Sequence, residues 1–298
     1  MHLRILVISL FFASVSVAMA DSDWHGKLTI GADYQGWTDI DDPDGEFDFW
    51  HTNVSAHAQR RLGDDSRWAV ALQGEYRAFG YRFRDLPPTS VNNPWGTAHV
   101  VRLSPRLMYT IDDTWSLFGG PIAEFSGESG AQFSNSIRGG ALFGAQWRGS
   151  ENLTIGLGVL GITEIEDDFL IQPVLIVDWK ISDSWHLTTQ SWTSRGGRLE
   201  IIHSFGDGFE ASVAGGRERE RFRLDPSSNA TSKGVGEESS LPITLTVSKT
   251  MRDGMRIDVY GGIVVNGELR VEDDRGNGRG VSDFDRSFFG GAALTMPF

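Results

Sequence analysis

Apolar and polar side chains alternate one by one along most of this chain. Near its start, Trp24, Leu28, Ile30, Ala32 and Tyr34 share one face, and His25, Lys27, Thr29, Asp33 and Gln35 share the other. The same split sets Trp68, Val70, Leu72 and Tyr76 against Gln73, Glu75 and Arg77. It also sets Phe169, Ile171, Leu175, Val177, Trp179 and Ile181 against Gln172, Asp178 and Lys180. At the far end Gly290, Ala292, Leu294, Met296 and Phe298 oppose Gly291, Ala293, Thr295 and Pro297. A period of two is the repeat of a β-strand, whose successive side chains point to opposite faces.

Six short polar stretches interrupt the alternation, at Leu62 to Trp68, Asp112 to Trp115, Gly149 to Leu153, Ser182 to Trp185, Gly206 to Phe209 and Arg252 to Met255. Asp, Asn, Gly and Ser suit tight turns because they tolerate left-handed backbone or bond to it locally. Between these turns lie longer acidic or Pro/Gly-rich segments, near 38–46, 82–96, 126–134, 163–168, 194–197, 217–239 and 267–283. Six turns join twelve strands, and one more at each end makes fourteen, with twelve as the alternative count. The pattern predicts an all-β fold: a transmembrane, antiparallel up-and-down barrel with short periplasmic turns, longer acidic outer loops and both termini periplasmic.

Aromatic residues collect beside the turns: Trp68, Tyr109, Trp115, Trp147, Trp179, Trp185 and Phe209. Rings with an apolar body and a polar edge favour the headgroup level, so this row reads as an interfacial girdle. The first twenty residues form an export signal. Arg4 is its basic end, Ile5 to Val17 its apolar run, and Ala18-Met19-Ala20 a small-x-small cleavage site. That run is shorter than the roughly 20 residues a spanning helix needs. The expected organisation is therefore a cleaved segment, 1–20, and a single barrel domain, 21–298, in the outer membrane of a Gram-negative bacterium. Leu294, Met296 and Phe298 have the form of an assembly signal for barrel insertion, which implies periplasmic chaperones and the barrel assembly machinery as partners. Pro297 departs from that form and removes one ladder donor.

Composition sharpens the picture in three ways. Mean hydropathy is −0.23, as a wall of alternating residues requires. There are no cysteines, so no disulfide framework or thiol chemistry accompanies export. The net charge is −13, and loss of Arg4 makes it −14, which argues against nucleic acid. Acidic outer loops suit lipopolysaccharide held through divalent cations.

Candidate chemistry is sparse. Barrel hydrolases of lipid pair a Ser with a His, but His203 and Ser204 are adjacent and point to opposite faces. His51, Asn53, Ser55 and His57 share an inward row that polar lumen packing explains. The Asp39 to Asp44 and Glu164 to Asp168 runs match no metal-loop spacing, and no motif asks for a cofactor. Lumen charge is the strongest feature. Arg77, Arg102, Arg106 and Arg138 face inward on early strands, with Glu75 and Glu124 among them. Asp178, Glu200, Glu210 and Asp258 face inward on later ones. The expectation is a basic wall opposite an acidic wall, as in general porins; the alternative is a plugged lumen in which Arg and Glu pair. The alternating run Arg217-Glu218-Arg219-Glu220-Arg221 is expected at an exposed loop tip.

The segment Pro173 to Ile181, followed by Ser184-Trp185-His186-Leu187, resembles uncharacterised outer-membrane barrels grouped under a domain of unknown function. The resemblance covers one hairpin and implies fold and location only. The function expected is porin-like passage of small hydrophilic solutes through a charged lumen. The alternatives are a closed structural or adhesive barrel working through its loops, and a barrel enzyme acting on lipid A or phospholipid.

Overall fold

The computed structural model describes residues 23–41, 44–63, 66–86, 94–166, 169–189, 198–227 and 233–298. The expected export segment and the expected loop at 194–197 lie outside the described residues. Sixteen strand segments form one antiparallel sheet that closes on itself. They are β1 (His25–Ile40), β2 (Gly45–Arg61), β3 (Trp68–Arg84), β4 (Thr97–Thr110), β5 (Trp115–Glu128), β6 (Ile137–Ser150), β7 (Leu153–Thr163), β8 (Phe169–Lys180), β9 (Trp185–Thr188), β10 (Leu199–Gly206), β11 (Phe209–Gly215), β12 (Glu218–Arg223), β13 (Val235–Thr250), β14 (Arg256–Glu272), β15 (Gly278–Phe284) and β16 (Ser287–Pro297). β15 and β16 are two parts of one stave between β14 and β1, and β11 and β12 both lie along the same edge of β13. The barrel thus has fourteen staves.

All six expected short turns join consecutive strands at one end of the barrel. The tightest, Gly206-Asp207-Gly208, holds three residues at φ of 89°, 52° and 76°, which is why two of them are glycine. The seam closes at this end too, where Gly26 and Phe298 exchange backbone hydrogen bonds of 2.9 and 3.0 Å. At the opposite end one expectation needs correction. The β1–β2 hairpin was expected to carry a loop at 38–46, but the ladder runs up to Ile40 and Gly45, so this connection is as tight as a short turn.

The outer surface is apolar, as the alternation requires. Phe143, Leu157, Ile171 and Phe288 are each about two-thirds or more exposed, at 65, 67, 67 and 76%. A continuous belt of such side chains facing outward is stable only in apolar surroundings. Trp68, Trp115, Trp147, Trp179, Trp185 and Phe209 ring the short-turn rim of that belt, and Tyr34, Trp37 and Trp50 are exposed toward the long-loop end.

The staves differ in height. β1 to β5 run 14 to 17 residues, whereas β11 runs only 7. Where β11 ends, β12 leaves the wall. Its near edge stays on β13, but its far edge meets β5 instead of β10, through the parallel pairing of Arg223 with Gly127. β5 lies across the ring from β12, so the β12–β13 hairpin folds over the lumen and closes a smaller ring from β1 to β5 and β12 to β15. That ring has its own dry core. Trp95, Phe222, Phe47, Phe49, Phe79 and Tyr81 are all buried in it, with Trp95 and Phe222 edge to face at 5.4 Å.

Candidate functional site

The infolded hairpin overturns the expected exposed tip. Within it, Glu218, Glu220, Arg221 and Arg223 are buried. Strand alternation places Glu218, Glu220 and Phe222 on one face of β12 and Arg219, Arg221 and Arg223 on the other. Glu220 meets Arg77 of the far wall, and Glu218 meets Arg198. On the opposite face, Arg219 grips both carboxylate oxygens of Glu164 at 2.8 and 3.0 Å, and Arg221 donates to the Ile165 carbonyl at 2.8 Å. Arg223 reaches Glu166 at 2.6 Å. Tyr81 of the wall donates to Glu238 of the hairpin at 2.5 Å.

The pairs Arg77–Glu220 and Arg219–Glu164 belong to one chain of alternating charge, which Arg77 enters through Glu75 at 3.3 Å. Glu75 lies 3.8 Å from Arg102, which binds Glu124 at 2.6 Å; Glu124 also binds Arg138, which lies 3.8 Å from Glu164. Glu164 then binds Arg219, Arg219 binds Glu237 at 2.8 Å, Glu237 binds Arg221 at 2.9 Å, and Arg221 binds Glu272 at 2.5 Å. Buried charges must be paired in this way, because an unpaired one in a low-dielectric site costs several kcal/mol. Burial acts against the charged form of Glu237, and Arg219 and Arg221 more than offset it, so its carboxyl is held below the ordinary value.

The eight lumen residues named from sequence fall into four places. Arg77, Arg102, Glu124 and Arg138 belong to the charge chain near the long-loop end. Arg106 stands lower, with Nη2 donating to Gln73 at 3.2 Å. Glu200 accepts from Ser212 at 2.5 Å, and Asp258 accepts from Ser248 at 2.6 Å and Arg256 at 2.8 Å. Asp178 is exposed beside His186, at 2.8 Å, in a recess of about 600 Å3 at the short-turn mouth lined also by Arg148, Lys180, Ser204 and Glu210. The expected opposition of a basic and an acidic wall is replaced by pairing. Arg77, Arg102 and Arg138 each have a carboxylate partner on a neighbouring strand or on the hairpin, so little transverse field remains. Leu294 and Met296 lie in the seam strand β16, opposite Ile30 and Leu28 of β1, and Phe298 follows that strand.

Sequence reasoning missed Glu164, Arg219, Glu220, Arg221, Glu237 and Glu272 as site residues. A signal was available. Strict alternation of Arg and Glu from 217 to 221 sorts the two signs onto opposite faces of a strand, which matters only when each face meets a partner.

The lumen wall also departs from expectation. On β5 to β8 a cluster of inward side chains is apolar: Phe118, Ile122, Leu142 and Ile162 are buried together, with Leu160, Leu170, Val174 and Ile176 packed on them and half-buried. Phe118 fits because its inward neighbours are glycines; a Cβ on Gly144 would stand 2.3 Å from its ring.

Two candidate chemistries are resolved by position. His203 sits outward between Trp185 and Phe205, with ring centroids at 4.4 and 4.6 Å, while Ser204 turns inward to Glu210 at 3.0 Å. His51 is inward, bound to Asp33 at 2.7 Å and stacked on Phe79 at 4.7 Å. Among the described residues no three His, Asp or Glu side chains gather as a metal site.

No protein-family model and no curated protein matches the chain. Among solved structures it is similar to a Pseudomonas aeruginosa FadL homologue, at 12% identity over 92% of this chain and 90% of that one, with a TM-score of 0.48. It is similar to the P. putida toluene transporter TodX at 7% identity, 95% and 92% coverage and a TM-score of 0.45. The Ralstonia pickettii toluene transporter TbuX follows at 11%, 94% and 91%, with 0.43. Likeness at this level says nothing of cargo.

Proposed function

We propose that this chain is an outer-membrane barrel, its short turns and termini in the periplasm, that passes small solutes when its infolded hairpin moves. The observation that carries this is the hairpin's attachment. To the far wall it has, among the described residues, one backbone pairing, Arg223 with Gly127, and otherwise side-chain contacts: ion pairs such as Arg77 with Glu220, hydrogen bonds from Ser126 and Tyr81, and the packing of Phe222. Backbone ladders fix a wall, whereas paired charges exchange partners with water. At rest the long-loop end is shut by the hairpin and the short-turn end stands open at the polar recess. Small hydrophilic solutes are the cargo that recess admits, and lipopolysaccharide is the neighbour of the outer rim.

A second reading is a permanently closed barrel that works through its outer loops. The dry aromatic core around Trp95 and Phe222 favours it, because opening exposes that core to water. Planar-bilayer recording separates the two. The gated reading expects brief, infrequent openings of the folded chain, and sustained conductance when Arg77→Ala and Arg221→Ala are combined. With that pair in place, adding Arg102→Glu and Arg138→Glu then shifts ion selectivity. A barrel that folds and stays silent in every variant is the closed one.

A further inference from the structure

The outward face of β1 to β3 changes character at the long-loop end. Lower down its positions are mostly apolar, with Ile30, Val54 and Tyr76 side by side. Beyond Tyr34 and Trp50, which pair across β1 and β2, they become charged: Asp48 stands opposite Arg82, and Glu46 opposite Arg84. Phe47, Phe49 and Tyr81 alternate with these residues and are buried in the dry core on the inner side of the wall, which fixes the charged set as outward. The level is that of lipid headgroups. Arg82 is fourteen residues above Trp68 of the short-turn girdle. At about 3.4 Å per residue and a tilt of about 40° the two are roughly 36 Å apart in height, the apolar band of about 25 Å plus a headgroup layer at each side.

Within this cluster the carboxylates stand behind and the guanidiniums in front. Asp48 is fully buried, held by the Tyr34 hydroxyl at 2.5 Å and by Nε of Arg82 at 2.8 Å, whereas the Arg82 side chain is 60% exposed. Glu46 accepts from Nε of Arg84 at 2.7 Å and is 29% exposed, against 47% for Arg84. Each carboxylate takes the Nε and Nη2 side of its guanidinium, and Nη1 of both arginines has no partner among the described residues. A β-bulge adds a platform. Gly36 and Trp37 of β1 together oppose the single residue Asp48, and the Trp37 ring centre comes 3.9 Å from Cζ of Arg84 and 5.5 Å from that of Arg82. The other acids nearby lie level with Arg84 or beyond it: Asp39 opposite Glu46, and Asp85 3.9 Å from Arg84. Exposed ion pairs add little stability to a wall already held by its backbone ladder.

We infer that this patch binds the phosphate of a glycolipid in the outer leaflet, gripped directly by Arg82 and Arg84 rather than through a divalent cation, with Tyr34 and Trp50 against the root of its acyl chains. Guanidinium forks match phosphate oxygens, and stacking on Trp37 holds them in place. Two residues apart on one face, the arginines are about 7 Å apart along the strand, a spacing over which one phosphate meets both. The inference rests on the outer-membrane orientation proposed above and not on passage through the lumen.

The test is native mass spectrometry of the folded full barrel in detergent and EDTA. It is titrated with bisphosphorylated lipid A, with the same lipid stripped of phosphate, and with inorganic phosphate as competitor. The expected result is binding that persists in EDTA, requires the lipid's phosphates and survives equimolar inorganic phosphate. Arg82→Gln combined with Arg84→Gln, which leaves Asp48 and Glu46 a donor, weakens it by about tenfold, the factor that 1.4 kcal/mol of lost binding produces. Lys249→Ala combined with Arg252→Ala, which removes cations of the short-turn rim, leaves it unchanged. Heat-dependent gel mobility checks the folded fraction of each variant, and the comparison of the two lipids decides even where a substitution prevents folding. Equal binding of the dephosphorylated lipid overturns the inference, as do loss of binding in EDTA, displacement by equimolar inorganic phosphate and insensitivity to the arginine pair. Loss on the short-turn pair alone overturns it together with the proposed orientation. A barrel that binds lipid A as expected but never conducts leaves this inference standing and removes only the passage reading.

Discussion

Arg77 of β3 and Glu220 of β12 form an ion pair across the barrel, between residues 143 apart in the chain, and both side chains are at least 90% buried. The pair fastens the infolded hairpin to the far wall. Glu75 lies 3.3 Å from the same guanidinium, so Arg77 answers two carboxylates. Removing one partner of a buried pair leaves the other charged and unsolvated, at a cost of about 3–5 kcal/mol. Arg77→Ala is therefore expected to lower stability more than Glu220→Gln, which keeps a polar group at the site and leaves Glu75 as partner. Urea titration of refolded barrel, followed by tryptophan fluorescence, ranks the two.

Phe222 anchors the apolar half of the same closure. Its ring is wholly buried against Trp95 and Tyr81. Phe222→Ala removes a buried aromatic, for about 3–5 kcal/mol. The loss falls first on the hairpin, since the wall strands it packs against, β2 and β3, keep their own backbone ladder. Limited proteolysis is expected to cut the variant first between β12 and β13 while the barrel itself stays resistant; cleavage at the short turns instead would show that the hairpin does not open by itself.

Acid is expected to loosen the hairpin. The Glu237 carboxyl titrates below its ordinary value of 4.5 because Arg219 and Arg221 outweigh its burial. A group whose folded pKa is lowered contributes stability above its unfolded pKa and loses it as pH falls through the folded one. Closure should hold from neutral pH down to about 4.5 and weaken below it. Proteolytic protection of the hairpin between pH 7 and pH 3.5 reads this directly, and Glu237→Gln should flatten that part of the profile.

Position on a strand decides the effect of a charge. Leu157 faces outward from β7, 67% exposed, and Leu160 faces inward. Leu157→Arg is expected to destabilise the barrel in a bilayer by about 2–4 kcal/mol if it lies near the midplane, whereas Leu160→Gln is expected to cost far less. Refolding equilibria into lipid vesicles compare them, and equal costs would argue against the outward belt as the lipid-facing surface.

Much of the fold was legible because it is local. Alternation identifies strands, Asp and Gly identify turns, and the registration of Trp68, Trp115 and Trp185 with those turns distinguishes the outward face. A strand in a closed antiparallel barrel pairs with its sequence neighbours, so connectivity follows from order alone. The inward placement of Arg102, Glu124 and Arg138 follows from the same parity. Strand β7 carried a further clue in Leu153-Thr154-Ile155-Gly156-Leu157-Gly158-Val159-Leu160, where apolar residues occupy both faces, as the apolar lumen wall requires.

What the sequence determined by itself is therefore the wall: strand number, turn positions and which face each side chain takes, because period two and turn chemistry act over a few residues. Only the tertiary structure decided the interior. Whether Arg219 and Arg221 stand in water or in a buried ion chain depends on β11 ending early enough for β12 to leave the wall, and on Gly127, Glu164 and Arg77 waiting elsewhere in the barrel. Those are contacts between residues distant in the chain, and no local pattern encodes them.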